Sequence, residues 1–309
     1  MPDSIKPNLS TSIIIPTYNR RSLLKRVLRA LFSQTYPPDN YEIIVVDDGS
    51  TDGTGGMVKR LKAPCTLRYF RQRKGGTSAA RNYGIKQARG EIIIFIDSDI
   101  LVDSHFVEEH LEYHQRYPRI VVKGPVIHTH TLVHPTGERG KLKDISMAFF
   151  ATGNCSVEKK ALLEAGLFDE DFKEYGWEDL ELGVRLKKTG LKVKNNRRAI
   201  GYHYQSKTDL QDLKMLCLKE RVRGRTAVLF YRKHPTFEVR WMTQITPLFF
   251  FLDCLLNLGN WMDSPRQKRL FSYLEDRVVH FPLNLLMKII LYHCYMQGIR
   301  EALEGKLEG

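Results

Sequence analysis

Asp97 and Asp99 close an apolar run, Ile92-Ile93-Ile94-Phe95-Ile96. Alternate side chains of an extended strand point the same way, so both carboxylates converge if that geometry persists. Two uncompensated carboxylates at the lip of a buried sheet are costly, and a divalent metal carrying a diphosphate would compensate them. A second acidic turn, Asp47-Asp48-Gly49-Ser50-Thr51-Asp52-Gly53-Thr54, could present hydroxyls, amides and a carboxylate to a nucleoside. Arg71, Arg73, Lys74 and Arg81 are candidates for the phosphates, with a solvated basic loop as the plainer alternative. Glu178, Asp179 and Glu181 fall near the start of an expected helix, where its dipole already favours acidic groups. His203 sits between two tyrosines, ordinarily the setting of a hydrogen-bonded core imidazole. His128, His130 and His134 could bind zinc, but no Cys or Glu partner is properly spaced, so a loop with scattered imidazoles is the simpler reading.

The elements that would carry these groups can be read from periodicity. Ser12-Ile13-Ile14-Ile15-Pro16, Glu42 to Val46, Thr66 to Phe70 and the run ending at Ile96 are near-continuous apolar strands. A helix is expected from about Ser22 to Phe32, with Leu24, Val27, Leu28 and Leu31 at helical spacing. A second is expected from a cap at Thr77 to Ala88, ended by Gly90. Strands of this kind alternating with helices make a parallel α/β sheet covered on both faces, whose functional residues gather outside the carboxyl ends of the strands. Asp47, Asp48, Asp97 and Asp99 all fall there. Further on come a helix over Asp103–Tyr117, a strand over Ile120–Ile127 interrupted by Gly124-Pro125, and a helix running to about Lys188 and stopped by Gly190. Neither a Gly-x-Gly-x-x-Gly after the first strand nor a Walker lysine loop occurs, so any nucleotide must be held by carboxylates, metal and side chains.

The chain has 309 residues, 42% of them apolar and 27% charged, enough for one large domain with an appendage. Its formal charge of +13 favours phosphate-rich partners, nucleic acid or an anionic membrane. No nucleic-acid module is visible, which excludes a specific nucleic-acid partner. Five scattered cysteines form no Cys-x-x-Cys, and no signal peptide is evident, which suggests reduced thiols and a cytoplasmic setting.

Four motifs, in order and at fitting spacing, resemble the family 2 glycosyltransferases of the GT-A fold. They are Ile14-Ile15-Pro16-Thr17-Tyr18-Asn19-Arg20, Val45 to Thr54, Ala80-Arg81-Asn82-Tyr83-Gly84-Ile85, and Ala88-Arg89-Gly90-Glu91 followed by Asp97-Ser98-Asp99. Thr152-Gly153-Asn154 and Gly176-Trp177-Glu178-Asp179-Leu180-Glu181 further resemble galactosyl- and N-acetylgalactosaminyl-type transferases, carrying the likeness to about Gly201. The resemblance implies an α/β GT-A catalytic domain over 11–208, a flexible lead-in over 1–10 and a helical extension over 209–309. It implies that Thr17 and the Asp47-Asp48 pair meet base and ribose, and that Arg81 sits near the diphosphate or orders the carboxylates. Asp99, Asp97 and His203 would form the metal site, suited to Mn²⁺ and tolerant of Mg²⁺. Asp179 would be the base of an inverting transfer from a UDP-sugar, with Glu178 binding sugar or positioning the acceptor, a glycan or lipid-linked hydroxyl. A processive polymerase would need a second site or groove; a non-catalytic nucleotide-sugar binder would not need these groups intact.

The tail has apolar runs over Trp241–Leu258 and Val278–Tyr292, neither reaching about twenty uninterrupted apolar residues. They could be buried helices, packing on the catalytic domain or on a second copy of the chain. They could also lie in an anionic membrane interface with Lys214, Lys219, Arg221, Arg223 and Arg225 against the head groups.

Overall fold

A computed structural model describes residues 10–130, 141–204, 213–263 and 280–305. The chain divides into two compact units: Met1–Lys173 with Glu178–Lys207, and Glu174–Trp177 with Thr208–Gly309.

The first unit is built on a seven-stranded sheet of order β3-β2-β1-β4-β8-β6-β9. Its left half, β1 (Thr11–Thr17), β2 (Tyr41–Asp47), β3 (Thr66–Arg71) and β4 (Ile92–Ile96), is wholly parallel. Consecutive isoleucines work here because both faces are covered. Ile13, Ile15, Ile43 and Val45 pack in one core with Leu24, Val27, Leu28 and Leu31 of α1 (Arg21–Phe32). Ile14, Ile44 and Val46 pack in the other with Ala80 and Ile85 of α3 (Thr77–Gln87). Each such side chain, fully removed from water, contributes about 1.5–3 kcal/mol. Between β1 and α3 in sequence lies the short α2 (Thr54–Lys59), which follows the acidic turn.

The right half departs from a parallel sheet. β8 (Asn154–Glu158) runs antiparallel to both β4 and β6 (Ile120–Lys123), and β9 (Lys192–Asn195) then continues parallel to β6. The stretch expected as one interrupted strand is two strands in different sheets. At Gly124-Pro125 the chain leaves β6 and enters β7 (Val126–Thr129), part of a three-stranded sheet β5-β10-β7 with β5 (Ile100–Val102) and β10 (Gly201–Tyr204). Helices α4 (Phe106–Arg116), α5 (Lys159–Glu164) and α6 (Glu178–Lys188) complete the unit.

Two local expectations are corrected. Thr77 is the first helical residue rather than the cap; Gly76 holds the cap position with a φ of 90°, and no side chain caps the helix. Gly90 does not terminate α3, which ends at Gln87. Its missing side chain is required by the sheet instead, since a Cβ there would lie 2.5 Å from the backbone nitrogen of Ser12.

The second unit is helical: α7 (Leu213–Lys233), α8 (Phe237–Met242), α9 (Pro247–Leu256) and α10 (His280–Leu303). α7 and α10 touch backbone to backbone. A Cβ on Gly224 would lie 2.1 Å from the Tyr295 carbonyl oxygen, and one on Gly298 2.0 Å from that of Arg221. Around this crossing Ala227, Val228, Tyr295, Met296 and Ile299 form a buried cluster. Asp253 of α9 is fully buried, bonded at 2.8 Å to His293 Nδ1 and paired at 2.6 Å with Arg300 of α10. No described helix is long and apolar enough to cross a membrane.

Candidate active site

The loops following β1 and β2 clasp each other. Asn19 donates its backbone N–H to Ser50 Oγ at 2.8 Å, and its side-chain oxygen accepts from the Thr51 N–H at 2.8 Å. Arg21 N–H donates to Asp52 at 2.9 Å. Within this clasp both aspartates of the pair are engaged. Asp47 accepts from the Ser50 N–H at 2.7 Å and from the Tyr69 hydroxyl at 2.5 Å. Asp48 gathers the basic loop, accepting from Gln72 Nε2 and from the N–H groups of Gly75 and Gly76 at 2.8, 2.7 and 3.0 Å. Thr17 Oγ1, by contrast, is buried and has no hydrogen-bond partner among the described residues. A cavity of about 490 Å³ opens beside the clasp, lined by Tyr18, Gly49, Arg71, Gln72, Arg73 and Lys74. Lys74 sits 4.5 Å from the centre of the Tyr18 ring.

Beyond β4 lies a charged cluster assembled from three separate pieces of sequence. Arg81, on α3, is buried with 4% of its side chain exposed, and its guanidinium joins Asp97 Oδ1 at 3.1 Å to Glu178 Oε1 at 2.9 Å. Arg81 thus pairs with carboxylates from two separate elements. Asp179, next along α6, is pushed up to about 7 by burial and by its neighbour Glu178, against the pull of Arg81. A carboxyl held near neutrality can take a proton from an incoming hydroxyl at physiological pH. Gly153 borders the cluster: a Cβ there would lie 3.7 Å from Asp97 Oδ2.

Asp99 points elsewhere. Its Oδ2 lies 3.3 Å from His203 Nε2 and is also paired with the guanidinium of Arg20. Burial works to raise this carboxyl, but the His203 hydrogen bond and the Arg20 charge outweigh it and hold it below the ordinary range. Among the described residues no group of three or more His, Cys, Asp or Glu converges as a metal centre. Asp99 and His203 nevertheless fit two adjacent corners of one, since bonds of about 2.1 Å at right angles put donor atoms roughly 3 Å apart. Asp97, expected as a third ligand, has one oxygen committed to Arg81. His128, expected in a loop of scattered imidazoles, instead meets His203, their Nδ1 atoms 3.3 Å apart. His134 lies outside the described residues.

Several supporting residues were not found from sequence. Arg20 stood within a quoted motif, but nothing in its spacing links it to Asp99. Asn154 is a buried bridge: its Nδ2 donates to the Pro125 and Ala199 carbonyls at 2.9 and 2.8 Å, leaving Oδ1 to accept from His110 Nε2 at 2.9 Å. That fixes the His110 proton on Nε2, so Nδ1 accepts from Ser156 Oγ at 2.9 Å, and Ser156 Oγ accepts from His114 Nε2 at 2.9 Å. Burial pulls these imidazoles down to about 4 and about 3, so both are neutral, as the chain of donors requires.

A largely parallel sheet with acidic groups at its strand ends, a Gly-Asn turn beside them and a Glu-Asp pair opening α6 defines a GT-A nucleotide-sugar fold. Residues 12–161 match the family model "Glycosyl transferase family 2". It is 29% identical over 256 residues to the glycosyltransferase YfnE of Bacillus subtilis, covering 64% of this chain and 65% of that protein. It is also 29% identical over 306 residues to validoxylamine A glucosyltransferase of Streptomyces hygroscopicus, covering 84% of this chain and 65% of that one. The chain thus spans just under two thirds of the length of these relatives. The mannosyltransferase PcManGT of Pyrobaculum calidifontis, solved with GDP-Man and Mn²⁺, shares the fold at a TM-score of 0.66 and 16% identity over 99% of this chain and 92% of that one.

Proposed function

We propose that this protein is a metal-assisted, inverting glycosyltransferase that moves a sugar from a nucleotide donor, a UDP-sugar by the family resemblance, to a hydroxyl of a glycan or lipid-linked acceptor. The observation that carries the reading is the Arg81 bridge. One buried guanidinium ties Asp97 of the nucleotide-diphosphate motif, 16 residues away, to Glu178 of the catalytic pair, 97 residues away. That juxtaposition supports a reading in which the leaving-group end of a donor and the base for an acceptor lie together.

Asp99 and His203 would hold Mn²⁺ or Mg²⁺, while one oxygen of Asp97 is kept by Arg81; the cation would neutralise charge on the departing diphosphate. Thr17 and the Asp47-Asp48 turn face the nucleoside. Thr17 supplies the free hydroxyl, while the two aspartates shape the turn and the basic loop that Arg71, Arg73 and Lys74 extend toward phosphate. Asp179 removes the proton from the acceptor hydroxyl as its oxygen attacks the anomeric carbon opposite the diphosphate, which leaves with the electron pair of the broken bond. Glu178, fixed by Arg81, positions sugar or acceptor. The GDP-mannose and Mn²⁺ bound by PcManGT support the donor class and metal in this fold.

The proposal extends to setting: peripheral attachment to the anionic cytoplasmic face of a membrane. α9 supports it, exposing Leu248, Phe251, Leu252, Leu255 and Leu256 in one short helix of a chain with a formal charge of +13.

The test is nucleotide release from a panel of UDP-, GDP- and dTDP-sugars, with Mn²⁺ and with chelator. Metal-dependent release from one UDP-sugar is expected. Silence across the panel, together with no donor binding by calorimetry, would overturn the reading.

A further inference from the structure

We infer that His128 is a positioning residue for His203: it accepts the Nδ1 proton of that imidazole and so turns the Nε2 lone pair toward the cation. This inference rests on the metal reading above and assigns a role to a residue that reading does not use.

The small sheet makes the pairing. β10 lies between β5 and β7, and His203 stands in register with Ile100 on one side and with His128 on the other. The parallel β10–β7 pairing puts His128 and His203 side by side on one face, ring centres 5.3 Å apart. The backbone of Tyr204 donates to the Asp99 carbonyl at 3.1 Å, anchoring the strand beside the carboxylate it must meet.

Without a cation Nε2 donates to Asp99 Oδ2; a cation bound there takes the Nε2 lone pair, and the proton must move to Nδ1. A neutral imidazole carries one N–H. If Nε2 of His203 is to bind a cation beside Asp99 Oδ2, the proton sits on Nδ1. The atom 3.3 Å from Nδ1 is His128 Nδ1. It can accept only as a lone pair, which places the His128 proton on its own Nε2. Such an outer partner fixes both tautomer and ring orientation of a ligating histidine, and its loss typically lowers metal affinity about 10–100-fold. His128 is exposed, so water can partly replace it. The lower end of that range is the expectation.

Mn²⁺ binding without substrate would be measured by electron paramagnetic resonance of the free ion, for the wild-type chain and for His203→Ala, His128→Phe and His128→Asn. The Asn amide oxygen falls near the position of His Nδ1 and restores the acceptor; Phe keeps the ring and removes it. About a tenfold weaker Mn²⁺ affinity is expected for His128→Phe, with His128→Asn within about threefold of wild type. Equal weakening by Phe and Asn would reduce His128 to packing, and wild-type affinity in His128→Phe would remove the role altogether. No Mn²⁺ binding by the wild type, or none lost in His203→Ala, would overturn the metal reading and this assignment with it. Should His128→Phe not fold, long-range ¹H–¹⁵N spectra of the wild-type chain loaded with Cd²⁺ decide. Protons on His203 Nδ1 and His128 Nε2 are expected, and the reverse pattern overturns the inference.

Discussion

The guanidinium of Arg81 lies among Asp97, Glu178 and Asp179, and its charge acts on all three. Activity that depends on ionised Asp179 should rise with pH through about 7 and level off above it. Arg81 lowers that carboxyl, so Arg81→Gln should carry the rise to more alkaline pH in a kcat profile. The same substitution strands two carboxylates and should cost about 3–5 kcal/mol in urea unfolding. Asp179→Asn should lower kcat about 10²–10⁴-fold with nucleotide affinity retained, as titration calorimetry would report. It should also be the more stable protein at pH 8 but not at pH 4. A carboxyl raised in the folded state binds its proton more tightly there than in the unfolded chain, so stability is lost as pH climbs from about 4 to about 7. Sequence made the types and positions of these residues legible, because Asp97 and Asp99 end a run that can only be a buried strand. It could not show that Asp97 turns to Arg81 while Asp99 turns to His203 and Arg20, since those partners come from elements 16 to 104 residues away and meet only through topology.

At the scale of elements, β1, β2 and β4 were readable because both faces of the sheet are covered there, leaving no polar alternation to interpret. The reversal at β8 was not, since an antiparallel strand buried on both faces has the same composition as a parallel one. Gly124-Pro125 was visible as a break; its consequence, transfer into a second sheet carrying His128, needed the structure. Asn154 holds that bend, and Asn154→Ala would leave the Ala199 carbonyl and the His110 N–H unpaired and the Pro125 carbonyl with only the Gly201 N–H. A loss of about 3 kcal/mol or more is expected in urea unfolding. Weakened Mn²⁺ binding should accompany it, since β7 and β10 carry both imidazoles of the metal side.

For the molecule as a whole, charge and exposed apolar surface together predict binding to anionic vesicles. Replacing Leu248, Phe251 and Leu255 with Gln should weaken sedimentation with phosphatidylserine vesicles at least tenfold, and raising salt should weaken the wild type as well. Unchanged sedimentation would reject α9 as the contact. Substitution suits this question better than truncation after Thr236, which would also strip α10 from α7. The glycine crossing of those two helices has a bearing on the order in which the protein comes into being. The strands of the first unit are all present once Tyr204 has been synthesised, whereas Gly224 must wait for Gly298 to emerge before its bare backbone face is covered. A ribosome halted between them would present a sheet with every strand available and a long helix without its mate. Proteases and chaperones acting during synthesis would therefore meet the helical unit, not the sheet, as the last part of this chain to be secured.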